Sequence, residues 1–555
     1  VFRAARLNAT GALPGVDLAL PIFRVIHTSE EHPAIWAHPK PRFMHAPHSR
    51  NRSRLGRRDN RLVPGSARQR MLMLVKNSSP VRLVVSCTGS PHRGTDKGAA
   101  RTGGYSMYSG GSRSTTTFSL RPASTTADRR SSNNYLADAE RLMADAVGAD
   151  YAFFSTCGSS LSVKAAMMAV AGNDPGGLLL SRDSHKSIVA GLIFAGITPR
   201  WITPQWDAAH HISHPPSPSQ VRDAWEKNPD AAGALIVSPS PYGTCADLAA
   251  IADECHRRGK PLIVDEAWGA HLPFHEGLPT WAMDAGADVC VVSVHKMGMG
   301  FEQGSVFHVQ GDLVDTAHLS ACADLLMTTS PNVMIYSALD GWRRQMVETG
   351  HELLDTALTL VTSLRDDIEQ LPDLEVLDSE LLGHQASHDL DRMQVLIDVS
   401  RTGATGYQCA DWLRAARSID VGMSDHRRIL ATVSTADDRE TTRRLLDGLE
   451  ALCGAAPSFP DTPRIELPSP ASLQLETVSS PREAFFGRTE MVPGAHAAGR
   501  IAAEQLTPYP PGIPVVVPGE RLDADVIGYL QSGLRAGMAV PDATDSSLDC
   551  FRVMV

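Results

Sequence analysis

The sequence predicts an α/β protein built on a mostly parallel sheet, and three observations carry that expectation. First, short apolar runs recur at strand length: Ala234-Leu235-Ile236-Val237-Ser238, Lys260-Pro261-Leu262-Ile263-Val264-Asp265-Glu266-Ala267, and Ala287-Asp288-Val289-Cys290-Val291-Val292. Second, the segment between the first two, Ala246 to Arg258, spaces Leu248, Ile251, Ala252 and Cys255 as one helix face and stops at Gly259. Third, polar groups collect where the apolar runs end, and in parallel sheets the carboxyl ends of the strands are where ligands bind.

Further elements follow in chain order. Asp150 to Phe154 reads as a strand, Ser155-Thr156-Cys157-Gly158-Ser159-Ser160 as a small-residue loop, and Leu161 to Ala171 as a helix. Val333 to Leu371 is mostly helical in pattern, with Trp342, Met346, Leu353 and Leu354 on compatible positions. Val395 to Val399 reads as a strand, Gln408 to Ala416 as a helix leading to Ile419-Asp420-Val421, and Arg427 to Val433 as another strand, which together predict a smaller α/β domain. Prolines 457, 460, 463, 468 and 470 mark 455–470 as a linker.

The most informative tetrapeptide is Ser293-Val294-His295-Lys296, at the end of the third apolar run. Burial disfavours an ammonium and lowers its pKa, which turns a lysine into a nucleophile able to hold a carbonyl cofactor as a Schiff base. Asp265 ends a neighbouring strand, so one carboxylate and one amine face the same crevice. Pyridoxal phosphate uses that pair: a lysine for its aldehyde and an acid to keep the pyridine nitrogen protonated. The Cys157–Ser160 loop opening a helix offers backbone N–H groups and hydroxyls to the phosphate. Lys164 falls inside a helix pattern, Lys186 is expected to point to solvent or to phosphate, and no lysine follows Lys296. Glu266 and Glu520 are read either as readers of a distal substrate amine or as ordinary surface or capping carboxylates. His210, His211 and His214 precede prolines and read as a loop; without a paired carboxylate or cysteine motif, no metal site is expected.

Composition narrows the class. The 555 residues are 43% hydrophobic, enough for several domains, and nine scattered cysteines without a CxxC pair argue against a disulfide framework or a zinc knuckle. No apolar run reaches transmembrane length, so no membrane partner and a cytoplasmic location are expected. The charge is uneven: residues 1–127 hold 20 Lys and Arg against 5 Asp and Glu, a net of +15, leaving −25 for the rest of a chain whose formal charge is −10. That region has little periodicity beyond a short strand pattern at Val81-Arg82-Leu83-Val84-Val85. Its arginines lack the aromatic interleaving of a nucleic-acid platform, so no nucleic-acid partner is expected. It reads as an atypical basic region, disordered or not native coding sequence.

From about Asn133 onward the chain resembles the pyridoxal-phosphate-dependent ornithine/lysine/arginine decarboxylases of aspartate-aminotransferase-like fold. The resemblance rests on Ser293-Val294-His295-Lys296 with Gln303-Gly304, on Asp183-Ser184-His185-Lys186-Ser187, and on Asp265-Glu266-Ala267-Trp268-Gly269-Ala270-His271. It also rests on Thr328-Thr329-Ser330-Pro331, on Ser337-Ala338-Leu339-Asp340, and on the run from Gly499-Arg500 through Pro508-Tyr509-Pro510-Pro511-Gly512-Ile513-Pro514 to Pro518-Gly519-Glu520. The family's Pro-Gly-His-Lys-type segment before the phosphate loop is not found in this sequence.

The resemblance implies a fold-type-I large domain over 128–345, a small domain over 346–454, the linker 455–470 and a family-specific α+β C-terminal domain over 471–555. It implies that Lys296 binds pyridoxal 5'-phosphate and later donates a proton, that Asp265 pairs with the pyridine nitrogen, and that His185 stacks on the ring. Gly158, Ser159, Ser160 and Ser293 would hold the phosphate, His295 would lie near the phosphate or ring, and Ala267 would pack beneath it. Thr329 and Ser330 would reach the phosphate of a neighbouring subunit in a homodimer or higher homo-oligomer. The implied reaction is decarboxylation of a small-molecule substrate (lysine, ornithine or arginine), with the amine entering polyamine biosynthesis. The alternatives are another fold-type-I enzyme (an aminotransferase or lyase) and a catalytically silent homologue with a regulatory role.

Overall fold

The computed structural model describes residues 135–383, 386–469 and 472–555. The expectations for 1–127, including the strand at Val81–Val85, lie outside the described residues. A seven-stranded sheet forms the centre: β1 (Tyr151–Ser155), β2 (Leu178–Ser181), β3 (Pro199–Ile202), β4 (Ala234–Val237), β5 (Leu262–Asp265), β6 (Val289–Ser293) and β7 (Ser305–Val309), in the spatial order β1-β7-β6-β5-β4-β2-β3. Only β7 runs against its neighbours; the pairs β6–β5, β5–β4, β4–β2 and β2–β3 are parallel. The expected mostly parallel sheet is therefore present.

The strands are apolar on both sides because each side carries a helical layer. Alternate residues separate cleanly. Phe154, Leu179, Ile236, Val264 and Cys290 enter one core, with α1 (Tyr135–Val147), α4 (Pro218–Lys227), α5 (Leu248–His256) and the start of α7 (Val333–Glu369). Phe153, Leu180, Leu235, Ile263 and Val291 enter the other, with α2 (Ser159–Ala171), α3 (Lys186–Ala195) and α6 (Thr316–Leu326). The period of two along each strand thus decides which layer each side chain meets.

A separate core forms where α7 continues past the sheet. Val361, Leu364 and Ile368 pack with Val395, Ile397, Leu413, Ile429 and Leu449. Here β8 (Glu375–Val376), β9 (Gln394–Asp398), β10 (Met423–Ser424) and β11 (Arg428–Thr432) make a sheet of order β8-β9-β11-β10, flanked by α8 (Gly406–Arg417) and α9 (Arg439–Ala455). Every pair in that sheet is antiparallel, so the unit is α+β rather than the α/β expected from its alternating pattern. Ile419-Asp420-Val421 is not a strand: Ser418 ends α8 in a left-handed conformation and turns the chain there. Between 459 and 469 the chain has no helix or strand, as its prolines predict. A further core joins β12 (Thr489–Pro493), β13 (Cys550–Met554) and α10 (Ala524–Arg535) around Leu506, Val526, Leu530 and Phe551.

Candidate active site

The candidate anion-binding end of the site begins where β1 runs into α2. Gly158 caps the helix at φ +74°, a left-handed backbone that suits glycine, and no side chain caps the first turn. An uncapped first turn directs backbone N–H groups and the positive end of the helix dipole at whatever lies in front of it. The loop is fixed from behind, where Gly158 N–H donates to Gln303 O at 2.9 Å. Ser293, the last residue of β6, donates its hydroxyl to Ser159 Oγ at 2.7 Å, so two strand ends meet at this turn. Ser160 follows in the same turn.

The charged end is set by β5 and β6. Asp265 closes β5 opposite Val291 of β6, and its carboxylate accepts from the Ala267 N–H at 3.3 Å. Burial pushes its pKa up to about 6, and the charge of Lys296 pulls it back. Lys296 lies just past β6, its N–H bonded to Ser293 O at 3.1 Å and its Nζ 4.3 Å from the centroid of the Trp268 ring. Burial pulls this ammonium down to about 8 from the usual 10.5, against the charge of Asp265. Desolvation therefore outweighs pairing at both groups, which act on each other through space.

His185 caps α3 and comes from the end of β2. Its Nδ1 accepts from the Ser187 N–H at 3.2 Å, so the neutral ring carries its proton on Nε2. Burial, then the charges of Lys296 and Lys186, lower its pKa to about 4, so the ring is neutral near pH 7. Gly512 backs the ring: at φ +94°, a Cβ there would fall 2.9 Å from His185 Cδ2. Gly512 O also accepts from the Lys186 N–H at 2.9 Å. The 508–514 turn thus packs on the His185 end of the site.

Among the other expected residues, Ala267 is buried on the Asp265 turn, and half-buried His295 donates from Nδ1 to Gly304 O at 3.2 Å. Thr329 and Ser330 stand exposed between α6 and α7. Several readings change. Glu266 is fully buried and accepts from Cys290 Sγ at 3.0 Å, and burial pushes its pKa well up, so it is neither a surface group nor a substrate reader. Glu520 is buried as the partner of Arg182 at 3.0 Å, whose guanidinium also donates to Pro514 O and Val515 O. Lys186 keeps a part-exposed side chain, with Nζ 3.9 Å from Asp542 and over the Tyr509 ring. The histidine loop is a hairpin, Gln205–Asp207 with Ile212–His214, in which Asp207 is shared by His210 at 2.7 Å and His214 at 3.6 Å, His214 also bonds Ser387, and His211 bonds His426.

The donor set fits pyridoxal phosphate. An uncapped helix end with two hydroxyls suits a phosphate, a buried amine held near 8 suits an aldehyde, and a buried carboxylate suits a protonated pyridine. Sequence reasoning missed Arg182 and the Gly512–His185 contact. Trp268 was marked by motif, yet nothing in the sequence placed its ring under Lys296.

Sheet order and strand-end lysine define an α/β enzyme of the fold-type-I class. Residues 129–441 match the Orn/Lys/Arg decarboxylase major domain and residues 469–542 the Orn/Lys/Arg decarboxylase C-terminal domain. The arginine decarboxylase of Halalkalibacterium halodurans is 36% identical over 423 residues, 75% of this chain and 84% of that one. The arginine decarboxylase of Bacillus subtilis is 34% identical over 431 residues, 77% and 87% of the two chains. Among solved structures, lysine decarboxylase A from Pseudomonas aeruginosa shares the fold with a TM-score of 0.62 at 23% identity, over 76% of this chain and 71% of that one. The chain belongs to the Orn/Lys/Arg decarboxylase family and is an amino-acid decarboxylase by that membership.

Proposed function

We propose that this chain decarboxylates a basic amino acid with pyridoxal phosphate, and that arginine is the substrate to test first. The observation that carries the reading is the placement of Lys296 just past β6, with Nζ over the Trp268 ring, beside buried Asp265 at the end of β5, where desolvation lowers the lysine pKa to about 8 and raises that of the aspartate to about 6. The high identity to two arginine decarboxylases supports the choice of substrate.

When bound, the cofactor supplies an electron sink for the pair released as the Cα–carboxylate bond breaks. The chain's own residues do the rest. Lys296 Nζ would hold the cofactor through its aldehyde and, once free, would hold the proton for the substrate Cα. The Asp265 carboxylate keeps a proton on the pyridine nitrogen. Backbone N–H groups of the Gly158–Ser160 turn, with the hydroxyls of Ser159 and Ser293, fix the phosphate. Neutral His185 would stack on the cofactor ring and orient the substrate, and the buried Ala267 methyl would leave room for the ring. His295 braces the lysine turn through Gly304.

We assign the active form to a homodimer or a multiple of it in the cytoplasm, with the amine product entering polyamine biosynthesis. The exposed Thr329 and Ser330 support the dimer, because exposed hydroxyls are available to a neighbour's phosphate. The test is incubation of the purified chain and cofactor with arginine, lysine and ornithine, scoring CO2 and amine against keto acid. Amine and CO2 in equal amounts are expected, fastest with arginine. Keto acid without CO2, or no turnover of any of the three, would overturn the proposal.

A further inference from the structure

Away from the Lys296 group, three side chains converge that no part of the reaction uses. The segment that starts at Asp265 continues through a 3-10 turn (Leu272–Phe274) to His275 and Glu276, and α7 passes beside it carrying His351. The imidazole rings of His275 and His351 lie with centroids 4.4 Å apart. Glu276 Oε2 is 3.0 Å from His351 Nε2, and one donor atom from each of the three residues lies within 4.8 Å of the others. Asp355, one turn after His351, places Oδ1 3.8 Å from His275 Nε2.

His275 is the informative member. Its side chain is only 9% exposed, yet Nε2 has no hydrogen-bond partner. Native structures seldom leave such an atom unsatisfied, and an unlocated ion is among the ordinary reasons. From this geometry we propose that His275, Glu276 and His351 bind a divalent transition metal of the zinc class, with Asp355 or water as fourth ligand. Two imidazoles and a carboxylate form the mixed nitrogen–oxygen set that zinc takes in tetrahedral sites, whereas calcium and magnesium select oxygen alone. Ligand atoms about 2.0–2.2 Å from a tetrahedral ion are roughly 3.3 Å apart. The present spacing closes to that by rotation of Glu276 and His351, which are 80% and 60% exposed.

The proton balance is simple. Nδ1 of His275 now accepts from the Gly277 N–H at 3.0 Å, so its proton sits on Nε2. Coordination through Nε2 moves that proton to Nδ1, and the Gly277 N–H, on an exposed turn, faces water instead. The His275 ring stays neutral, and the proton that His351 Nε2 now donates to Glu276 moves to the ring's Nδ1, so His351 also ligates as a neutral imidazole. The ion would join the turn behind Asp265 to α7, next to the edge-on contact of Phe274 with Trp342. Sequence reading had no route to this site, because His275 and His351 share no motif and meet only through the fold.

The test uses the full chain, stripped with chelator and then titrated with Zn2+ by calorimetry and with Co2+ by visible absorption. His351→Asn is the main variant, since the exposed side chain can be changed without disturbing the core; Glu276→Gln is the second. The expected result is one ion per wild-type chain, a tetrahedral Co2+ spectrum, and a thermal midpoint raised by Zn2+. In either variant the Kd should rise about tenfold or more, with loss of the spectrum and of the thermal shift. Equal Kd values and spectra in wild type and H351N, or no uptake by wild type, would overturn the site. Neither outcome depends on decarboxylase activity.

Discussion

Lys296→Met should make the cofactor-free protein more stable near neutral pH. In the folded chain the ammonium is held at about 8 against the usual 10.5. Each unit of that difference is worth about 1.4 kcal/mol, so carrying the charge in this site costs roughly 3 kcal/mol whenever both states are protonated. The sign follows from proton counting: the folded pKa is depressed, so between about pH 8 and pH 10.5 the unfolded chain binds more protons and wild-type stability rises with pH. Below about pH 8 the whole penalty is present. Methionine, uncharged and similar in length, removes it. In urea or guanidinium denaturation of cofactor-free protein, the variant should exceed wild type by roughly 3 kcal/mol at about pH 7 and by only about 1 kcal/mol at about pH 9.5. A variant less stable than wild type at pH 7 would mean that Lys296 stabilises the fold through an ion pair with Asp265. That result, or a difference independent of pH, would refute the reasoning.

Four further outcomes follow from the same geometry. The rate at which cofactor-free protein takes up pyridoxal phosphate should rise with pH about a midpoint near 8, because the neutral amine is the nucleophile; stopped-flow absorbance checks it, and a rate still climbing at about pH 10 contradicts the depressed lysine. Asp265→Asn should lower kcat for CO2 release by about 10²–10³-fold, the usual loss for one preorganised electrostatic partner, while circular dichroism stays unchanged. Gly512→Ala should lower stability by about 1–3 kcal/mol and reduce kcat, since its Cβ meets the His185 ring and its φ is +94°. Gly259→Ala, where φ is also positive but no atom lies within 4 Å of the new Cβ, should carry the strain and leave kcat unaltered.

The legible part of this chain is what local pattern dictates. Val289–Ser293 and Leu262–Asp265 are apolar runs too short for helices, so the charged residues that terminate them had to lie at strand ends; that placed Lys296 and Asp265 on one edge of the sheet. Small residues between β1 and α2 announced the phosphate turn, because only glycine and short hydroxyl side chains leave a helix end open. In the smaller domain the pattern misled. Two of its four strands, Glu375–Val376 and Met423–Ser424, are two residues long and exist only because β9 and β11 offer them edges. Pairings between distant segments were invisible for a related reason. Arg182 meets Glu520, Gly512 meets His185, and Glu266 is withdrawn into the core by packing against Cys290, all choices made by tertiary contact. A carboxylate next to Asp265 at a strand end looks like a substrate reader until burial shows which way it faces.

The central claim is that Lys296 carries the cofactor, and borohydride tests it most directly. Protein incubated with pyridoxal phosphate, reduced with borohydride, digested and analysed by mass spectrometry should yield one modified peptide, with the reduced pyridoxyl group on Lys296. Modification of Lys164 or Lys186 in its place, or an unmodified Lys296 in protein that has bound the cofactor, would contradict the account.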